Sequence, residues 1–179
     1  MKPYYIFTGG PGSGKSTVLQ ALAHLTYPTV PEVGRAIIQQ QMHTAGDALP
    51  WLNKQRFFEA MFNQSVQDYQ SHLTETPLFF DRGLLDSIGY ARLEHLEIQP
   101  TQLNVAKQML YASPVFIFPP WESIYVNDQE RKQDFTLAIQ TYEIMYTTYK
   151  EFGYQLVEVP CTSIEERVEF ILEYLHLKP

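Results

Sequence analysis

The feature that most constrains this chain is a glycine-rich segment close to its amino terminus. Residues 9–16 read Gly-Gly-Pro-Gly-Ser-Gly-Lys-Ser and match the pattern G-x-x-x-x-G-K-[ST]. Glycines in this pattern allow the backbone to curl until consecutive N–H groups point into one hollow that accepts a phosphate chain. An apolar run over residues 4–8 precedes the segment, and a helical pattern over residues 16–25 follows it. This strand–loop–helix context predicts nucleoside triphosphate binding rather than a glycine-rich turn without a ligand.

The polar side chains of this segment have distinct expected roles. The Lys15 ammonium should reach the β- and γ-phosphates, and the Ser16 hydroxyl should coordinate Mg²⁺. The segment also lies where the following helix presents its positive end, which favours a bound anion. The residues expected to contact the nucleotide are Gly10, Pro11, Gly12, Ser13, Gly14, Lys15 and Ser16.

Composition argues against several other classes of protein. The chain of 179 residues is long enough for one domain with one core, and its formal net charge of −7 comes without a run of lysines or arginines. No apolar run approaches the roughly 20 residues that span a bilayer, and the single cysteine, Cys161, fits a reducing cytoplasm. We expect one cytoplasmic domain over residues 1–179, without a nucleic-acid or membrane partner. A helix rich in Tyr and Phe could be core or interface, so a homodimer stays open.

Apolar strand-like runs alternate with helical patterns along the chain. Strands are predicted at residues 4–8, 28–31, 78–81, 115–118 and 154–159. The alternation predicts an α/β fold of three layers, in which a five-stranded parallel sheet carries helices on both faces. Apolar residues at helical spacing predict a helix over residues 52–73, with Leu73 as the last member of its apolar stripe. Ser163 followed by Glu166 predicts a capping box for the last helix.

Two segments interrupt this pattern. Residues 44–50 are predicted as a loop between helices. Residues 119–133 begin with Pro-Pro-Trp, continue with polar and charged residues, and are predicted to form a short lid after the fourth strand. The lid carries a charged cluster of Asp128, Glu130, Arg131 and Lys132. A cation there could close over the γ-phosphate during transfer, or the charges could form a solvated turn.

Charged residues follow the second and third predicted strands, at the sheet edge where ligands bind in such folds. Asp81 could hold the hydration shell of Mg²⁺ or accept the proton of an acceptor hydroxyl, and Arg82 could bridge donor and acceptor phosphates. The alternative is a capped strand end with a surface ion pair. Glu32 competes with Asp81 for the role of base, and Arg35 could clamp the acceptor. The alternative for Glu32 is an acid that stabilises a helix amino terminus.

Three aromatic residues are candidates for stacking on the ring of an acceptor. They are Trp51, Phe57 and Phe58, although helical spacing favours the core for at least two of them. A hydrolytic ATPase is disfavoured, because Asp81 is followed by Arg82 instead of Glu. A guanine-nucleotide switch is disfavoured, because no Asn-Lys-x-Asp string follows late in the chain. Small size and the predicted lid point to a phosphotransferase that acts on a small molecule.

Four strings of residues together resemble a known family. They are Gly-Gly-Pro-Gly-Ser-Gly-Lys-Ser-Thr, an early Pro-Glu-x-x-Arg, Phe-Asp-Arg-Gly-x-x-Asp, and Pro-Pro-Trp-x-x-Ile-Tyr-x-Asn-Asp-x-Glu-Arg. The chain resembles the NadR-type ATPase domains, an AAA-like family with the architecture of the P-loop nucleoside and nucleotide kinases. The resemblance extends from residue 9 to about residue 160, and the string over residues 119–131 is its most specific part.

The resemblance implies a sheet of strand order 2-3-1-4-5 and a ligand that is ATP or GTP with Mg²⁺. It implies that Lys15, Ser16 and Thr17 contact the donor phosphates and Mg²⁺, and that Arg131 acts from the lid. It also implies that Asp81 and Arg82 lie at the reaction centre, while Glu32 and Arg35 resemble the acceptor-side pair of nucleoside kinases less closely. Family members include a ribosylnicotinamide kinase domain and proteins described only as nucleotide-binding, so the acceptor is not implied.

Two hypotheses of function result. The first is a kinase that transfers a phosphoryl group from Mg-ATP to a nucleoside- or nucleotide-like acceptor. The second is a nucleotide-dependent binding module, in which the nucleotide closes the lid and a partner recognises the closed shape. Substitution of Asp81 or Glu32 by its amide should abolish turnover of a kinase and leave the partner binding of a module intact.

Overall fold

A computed structural model describes residues 2–125 and 135–178. The five strands form one parallel sheet in the order β2-β3-β1-β4-β5, as the sequence and its family resemblance predict. The strands are β1 (Tyr4–Gly9), β2 (Thr29–Val30), β3 (Leu78–Asp81), β4 (Val115–Phe118) and β5 (Leu156–Glu158). The α-helices are α1 (Lys15–His24), α2 (Val33–Thr44), α3 (Lys54–Ser71), α4 (Leu84–Leu93), α5 (Pro100–Gln108), α6 (Phe135–Glu151) and α7 (Ile164–Tyr174).

The helices cover both faces of the sheet because the central strands are apolar on both sides. Along β1, Tyr4 and Ile6 point to the face covered by α3, α4 and α6, whereas Phe7 points to the face covered by α1 and α7. All three of these side chains are fully buried. A central strand that is buried on both faces is expected in a parallel sheet with helices on each side.

The register of the central strands brings the ends of β1 and β3 together. Phe7 pairs with Asp81 of β3, and Gly9 pairs with Phe118 of β4. Because parallel strands end at the same edge of the sheet, the loop after β1 and the loop after β3 lie side by side. This edge is where the sequence places its candidate functional residues.

The helix ends largely follow local capping signals. Asn53 caps α3 by accepting a hydrogen bond from the Arg56 amide at 3.1 Å. The predicted capping box of α7 is confirmed, since Ser163 Oγ accepts from the Glu166 amide at 3.2 Å. The prediction that Leu73 extends the apolar stripe of α3 is wrong, because α3 ends at Ser71 and Leu73 is 87% exposed.

The predicted lid is only partly within the described residues. After β4, Trp121 leads into a short 3₁₀ helix over Glu122–Ile124, and Tyr125 is the last described residue before the gap. Arg131 and its charged neighbours Asp128, Glu130 and Lys132 lie outside the described residues. Nowhere in residues 2–125 and 135–178 is a helix both long enough and apolar enough to cross a membrane.

Candidate functional site

The segment between β1 and α1 adopts a curled backbone that depends on its glycines. Gly9, Gly12 and Gly14 have φ angles of 126°, 72° and 81°, in the region that side chains disfavour. At Gly9, a Cβ atom would also lie 2.3 Å from the carbonyl oxygen of Phe118. Helix α1 begins at Lys15, so the curl sits at the positive end of this helix. This geometry is that of a phosphate-binding loop.

Lys15 is held against its own loop. Its Nζ donates to the carbonyl oxygen of Gly10 at 2.7 Å and to Ser13 Oγ at 3.2 Å, and the residue is 6% exposed. Burial, together with the nearby charge of Arg82, lowers the pKa of Lys15 to about 8. Among the described residues, Lys15 makes no ion pair. A phosphate chain in the loop would supply the negative charge that this ammonium lacks.

Ser16 and Asp81 meet across the ends of α1 and β3. Ser16 Oγ donates to Asp81 Oδ2 at 2.7 Å, whereas Asp81 Oδ1 is buried and has no hydrogen-bond partner in the described part of the chain. Burial raises the pKa of the Asp81 carboxyl, and Lys15 partly opposes this shift. Thr17 is exposed beside Ser16 on the first turn of α1. The sequence analysis assigned each of these two side chains to Mg²⁺ but did not predict a direct hydrogen bond between them.

The Ser16–Asp81 pair fits a magnesium ion chemically. A hydroxyl and a carboxylate are the hard oxygen donors that Mg²⁺ prefers, and Mg²⁺ usually keeps several water ligands. The described residues contain no group of three or more His, Cys, Asp or Glu side chains that could enclose a metal. The described residues therefore offer Mg²⁺ two protein ligands, the Ser16 hydroxyl and the Asp81 carboxylate. Of the Asp81 oxygens, Oδ1 has no other described partner.

Arg82 joins Glu32, at the start of α2, to the phosphate-binding loop. Its backbone is left-handed, with φ 72°, and its amide donates to the Phe7 carbonyl oxygen at 2.9 Å. Its Nε donates to Glu32 Oε1 at 3.1 Å, and its Nη1 donates to the Gly9 carbonyl oxygen at 3.1 Å and to Asp86 Oδ1 at 3.0 Å. Two carboxylates thus balance this guanidinium, and the alternative of a surface pair with Asp81 is not what the structure shows.

Asp86 is a site residue to which the sequence reasoning assigned no role. It is 4% exposed on the first turn of α4, and each of its carboxylate oxygens accepts two hydrogen bonds. Oδ1 accepts from Thr8 Oγ1 at 2.6 Å and from Arg82, and Oδ2 accepts from the Gly83 amide at 2.9 Å and from Tyr149 Oη at 2.7 Å. An acid within the apolar string Leu-Leu-Asp-Ser-Ile-Gly was the available signal.

Glu32 and Arg35 occupy the start of α2, as predicted, but they differ in environment. Burial raises the pKa of Glu32, yet the charges of Arg82 and Lys15 outweigh burial and hold this pKa below its usual range. Glu32 occupies the N-cap position of α2, but its side chain makes no capping hydrogen bond to the helix. The structure therefore favours the pairing of Glu32 with Arg82 over a capping role. Arg35 is exposed and forms no ion pair with any described residue.

The three aromatic candidates divide as their helical spacing indicated. Phe57 and Phe58 are 5% and 0% exposed, so both belong to the core. Trp51 is 61% exposed in the turn before α3 and has no described ring partner. Stacking of Phe58 on an acceptor is excluded by its burial.

The described part of the predicted lid lies directly on the phosphate-binding loop. An added Cβ at Gly12 would be 2.6 Å from a ring carbon of Tyr125, and one at Gly14 would be 3.4 Å from Cδ1 of Ile124. The ring of Tyr125 also packs edge-on against Phe135, with ring centroids 5.4 Å apart. The residues on either side of the gap therefore meet above the loop.

The curled loop after β1, the Asp81 carboxylate at the end of the adjacent β3, and the strand order together define a P-loop nucleoside triphosphatase or kinase domain. A family model described as "AAA domain" matches residues 4–167, and the chain belongs to this family. A search of curated proteins by sequence gives no significant match.

Several solved structures with the same fold are kinases. NadR in complex with NAD and AMP-PNP matches with a TM-score of 0.73 and 15% identity, over 99% of this chain and 51% of NadR. The chain thus spans about half the length of NadR. Deoxyadenosine kinase from M. mycoides matches with a TM-score of 0.66 and 15% identity, over 97% and 98% of the two chains. Shikimate kinase from Acinetobacter baumannii, in complex with shikimate, gives 0.58 and 15%, over 98% and 94%.

Proposed function

We propose that this protein is a Mg-ATP-dependent kinase that transfers a phosphoryl group to a hydroxyl of a nucleoside-like acceptor. The observation that carries the proposal is the bridge formed by Arg82. One guanidinium binds Gly9 of the phosphate loop at 3.1 Å and Glu32 at 3.1 Å, so a carboxylate is fixed beside the predicted position of the phosphate chain. A protein that only binds nucleotide has no need of a carboxylate at this position.

On the donor side, Lys15, Ser16 and Asp81 have the expected chemistry. The loop N–H groups and Lys15 would hold the phosphate oxygens, while Ser16 and Asp81 would supply oxygen ligands for Mg²⁺. When bound, Mg²⁺ would neutralise part of the charge that develops on the phosphate oxygens during transfer. GTP stays an alternative donor, because nothing in the described contacts selects the base.

On the acceptor side, Glu32 is better placed than Asp81 to serve as the base. Asp81 already accepts from Ser16, and its remaining oxygen is buried. Glu32 has one oxygen on Arg82, its side chain is 30% exposed, and its lowered pKa keeps it ionised at neutral pH. A carboxylate of this kind can accept the hydrogen bond of an acceptor hydroxyl, orient it, and take its proton as the bond to phosphorus forms.

The charges of the site favour a neutral hydroxyl over a phosphate as acceptor. Formal charges cancel among the described residues at the front of the loop and beside Glu32, with cations Lys15, Arg35 and Arg82 and anions Glu32, Asp81 and Asp86. An acceptor phosphate would bring roughly two further negative charges next to Glu32. Arg82 is already balanced by two carboxylates and Lys15 is assigned to the donor phosphates, so Arg35 is the cation near Glu32 that is left among the described residues to oppose them. The shikimate kinase and NadR structures, whose ligands are shikimate and NR, support the same class of acceptor by analogy.

One observation supports the alternative of a nucleotide-dependent binding module. Tyr125 and Ile124 lie on Gly12 and Gly14, so a nucleotide in the loop would contact the beginning of the lid directly. A partner protein could then recognise the position of the lid. In that case, Glu32 would be dispensable for partner binding.

The proposal is tested by an acceptor screen with purified protein, Mg-ATP and a panel of nucleosides and their monophosphates. We expect phosphorylated product from at least one nucleoside, and no product when Glu32→Gln replaces the wild type, although nucleotide affinity stays within about two-fold. Glu169→Gln is the matched control, because Glu169 is exposed on α7 and should leave turnover unchanged. Tight nucleotide binding without product from any acceptor would favour the binding module.

A further inference from the structure

A buried arginine from the last helix reaches the phosphate-binding loop from behind. Arg167 lies on the first turns of α7 and is only 2% exposed. Its Nη2 donates to the carbonyl oxygen of Ser13 at 2.8 Å, across 154 residues of sequence. Arg167 is thus the contact through which α7 holds the backbone of the loop.

This guanidinium has no carboxylate partner among the described residues. Its Cζ lies 4.9 Å from the ring centroid of Phe118 and 5.6 Å from that of Trp121, and its Nε has no hydrogen-bond partner in residues 2–125 and 135–178. Buried cations are normally paired with an acid, since an isolated charge is costly to remove from water. An unpaired buried cation immediately behind a phosphate-binding loop indicates that the counter-charge is the ligand of that loop.

The close approach of Arg167 depends on Gly14. An added Cβ at Gly14 would lie 2.6 Å from Nη1 of Arg167, so a side chain at position 14 would displace the guanidinium. Gly14 is therefore needed for two reasons, its φ of 81° and the space that Arg167 occupies. The phosphate-loop pattern does not predict the contact between Gly14 and Arg167.

The bond to Ser13 also orients the loop. In a trans peptide, the C=O of one residue and the N–H of the next residue point in opposite directions. Since Arg167 holds the Ser13 carbonyl on the α7 side, the Gly14 N–H is turned to the other side of the peptide. A peptide fixed in this way offers its donor to an anion without first having to reorder.

We propose that Arg167 is a positioning residue of the nucleotide site, which fixes the Ser13–Gly14 peptide and places a positive charge behind the phosphate chain. The inference rests on the proposed nucleotide binding, and it goes beyond the P-loop pattern, which contains no residue of α7. If Arg167 served only to pack α7 on the sheet, an apolar side chain of similar length would replace it without loss.

The test compares Arg167→Met and Arg167→Lys with the wild type. Methionine keeps the buried volume and removes the charge and the donor, whereas lysine keeps the charge but not the planar fork. Arg92→Met is the matched control, because Arg92 is a partly buried arginine at the far end of α4, where it pairs with Glu151 at 2.7 Å. Affinity for Mg-ATP is measured by calorimetry, and thermal stability is measured without nucleotide.

We expect Arg167→Met to weaken Mg-ATP binding by about 10- to 100-fold, as for the loss of a hydrogen bond to a charged group. Arg167→Lys should recover part of this loss, and Arg92→Met should bind as the wild type does even where its thermal midpoint falls. Affinity of Arg167→Met within two-fold of the wild type would overturn the inference. Absence of binding by the wild type would instead overturn the proposed function.

If Arg167→Met does not fold, the inference is tested by hydrogen exchange of Arg167→Lys. For this variant, we expect faster exchange in the peptide that contains Ser13 and Gly14, and unchanged exchange in α5, together with weaker Mg-ATP binding. Unchanged exchange in the loop, with wild-type affinity, would refute the positioning role.

Discussion

Replacement of Asp86 by asparagine tests the network that holds Arg82. The Asp86 carboxylate acts only as an acceptor in its four described hydrogen bonds, and each of its oxygens accepts two of them. An asparagine side chain turns one acceptor oxygen into an NH₂ group, which faces donors whichever way the amide is placed. The hydroxyls of Thr8 and Tyr149 can rotate and accept instead, but the Gly83 amide and the Arg82 guanidinium can only donate.

The magnitude follows from the less damaging orientation of this amide. With its NH₂ toward Gly83 and Tyr149, the variant leaves one buried backbone N–H unsatisfied, which costs about 1–3 kcal/mol. It also replaces the anionic acceptor of the Arg82 hydrogen bond with a neutral amide oxygen, which costs about 1 kcal/mol more. We therefore expect Asp86→Asn to lower the free energy of unfolding by about 2–4 kcal/mol. Phosphoryl transfer should fall as well, because one of the three side-chain anchors of Arg82, the one beside Glu32 and Gly9, is weakened.

Urea unfolding of Asp86→Asn measures this loss directly, and two further variants calibrate it. Tyr149→Phe removes one hydrogen bond to the carboxylate and should cost about 1 kcal/mol. Asp47→Asn is the surface control, because Asp47 pairs with Arg56 at an exposed position and should change stability by less than about 0.5 kcal/mol. An unfolding free energy of Asp86→Asn equal to that of Asp47→Asn would refute the reasoning.

Two other predictions concern the donor side of the site. Because the folded pKa of Lys15 is about 8, below its unfolded value near 10.4, the unfolded chain holds the Lys15 proton more tightly. The nucleotide-free protein should therefore gain stability as the pH rises from about 8 to about 10, and the gain should be smaller in Lys15→Met, as measured by denaturant unfolding across this range. Lack of any difference between the two proteins would contradict the lowered pKa. Asp81→Asn should leave the nucleotide-free protein as stable as the wild type or more so, because it removes a buried charge whose pKa burial raises. The same variant should lose the Mg²⁺-dependent part of nucleotide affinity in calorimetry, and undiminished Mg²⁺ dependence would remove Asp81 from the metal site.

Much of the fold was predictable because its signals are local. The bounds of β3 and β4 were predicted correctly, since each is a run of four residues that are all buried and lie between loop residues. The phosphate-binding loop was predictable because its glycines are required by backbone angles within the loop itself. Strand β5 is shorter than predicted, at Leu156–Glu158. Leu156 and Val157 are only partly buried and Glu158 is exposed, as at an edge of the sheet.

The missed residues depend on partners that are distant in sequence. Asp86 meets Thr8 across 78 residues, and Arg167 meets Ser13 across 154 residues. Neither pairing has a spacing that a pattern can report, because the sheet order alone brings these segments together. A polar residue on an otherwise apolar helix was a local sign of both, and Asp86 is also the last residue of the string Phe-Asp-Arg-Gly-x-x-Asp, where it was given no role.

The central claim is that the phosphate-binding loop and Glu32 together transfer a phosphoryl group to a hydroxyl. The most direct measurement is ³¹P NMR of wild-type protein with Mg-ATP and the nucleoside panel, run beside Glu32→Gln at saturating nucleotide. We expect a new phosphomonoester signal that grows with the ADP signals in the wild type and stays absent in the variant. ADP and inorganic phosphate without a phosphomonoester, or an equal phosphomonoester signal from Glu32→Gln, would contradict the account.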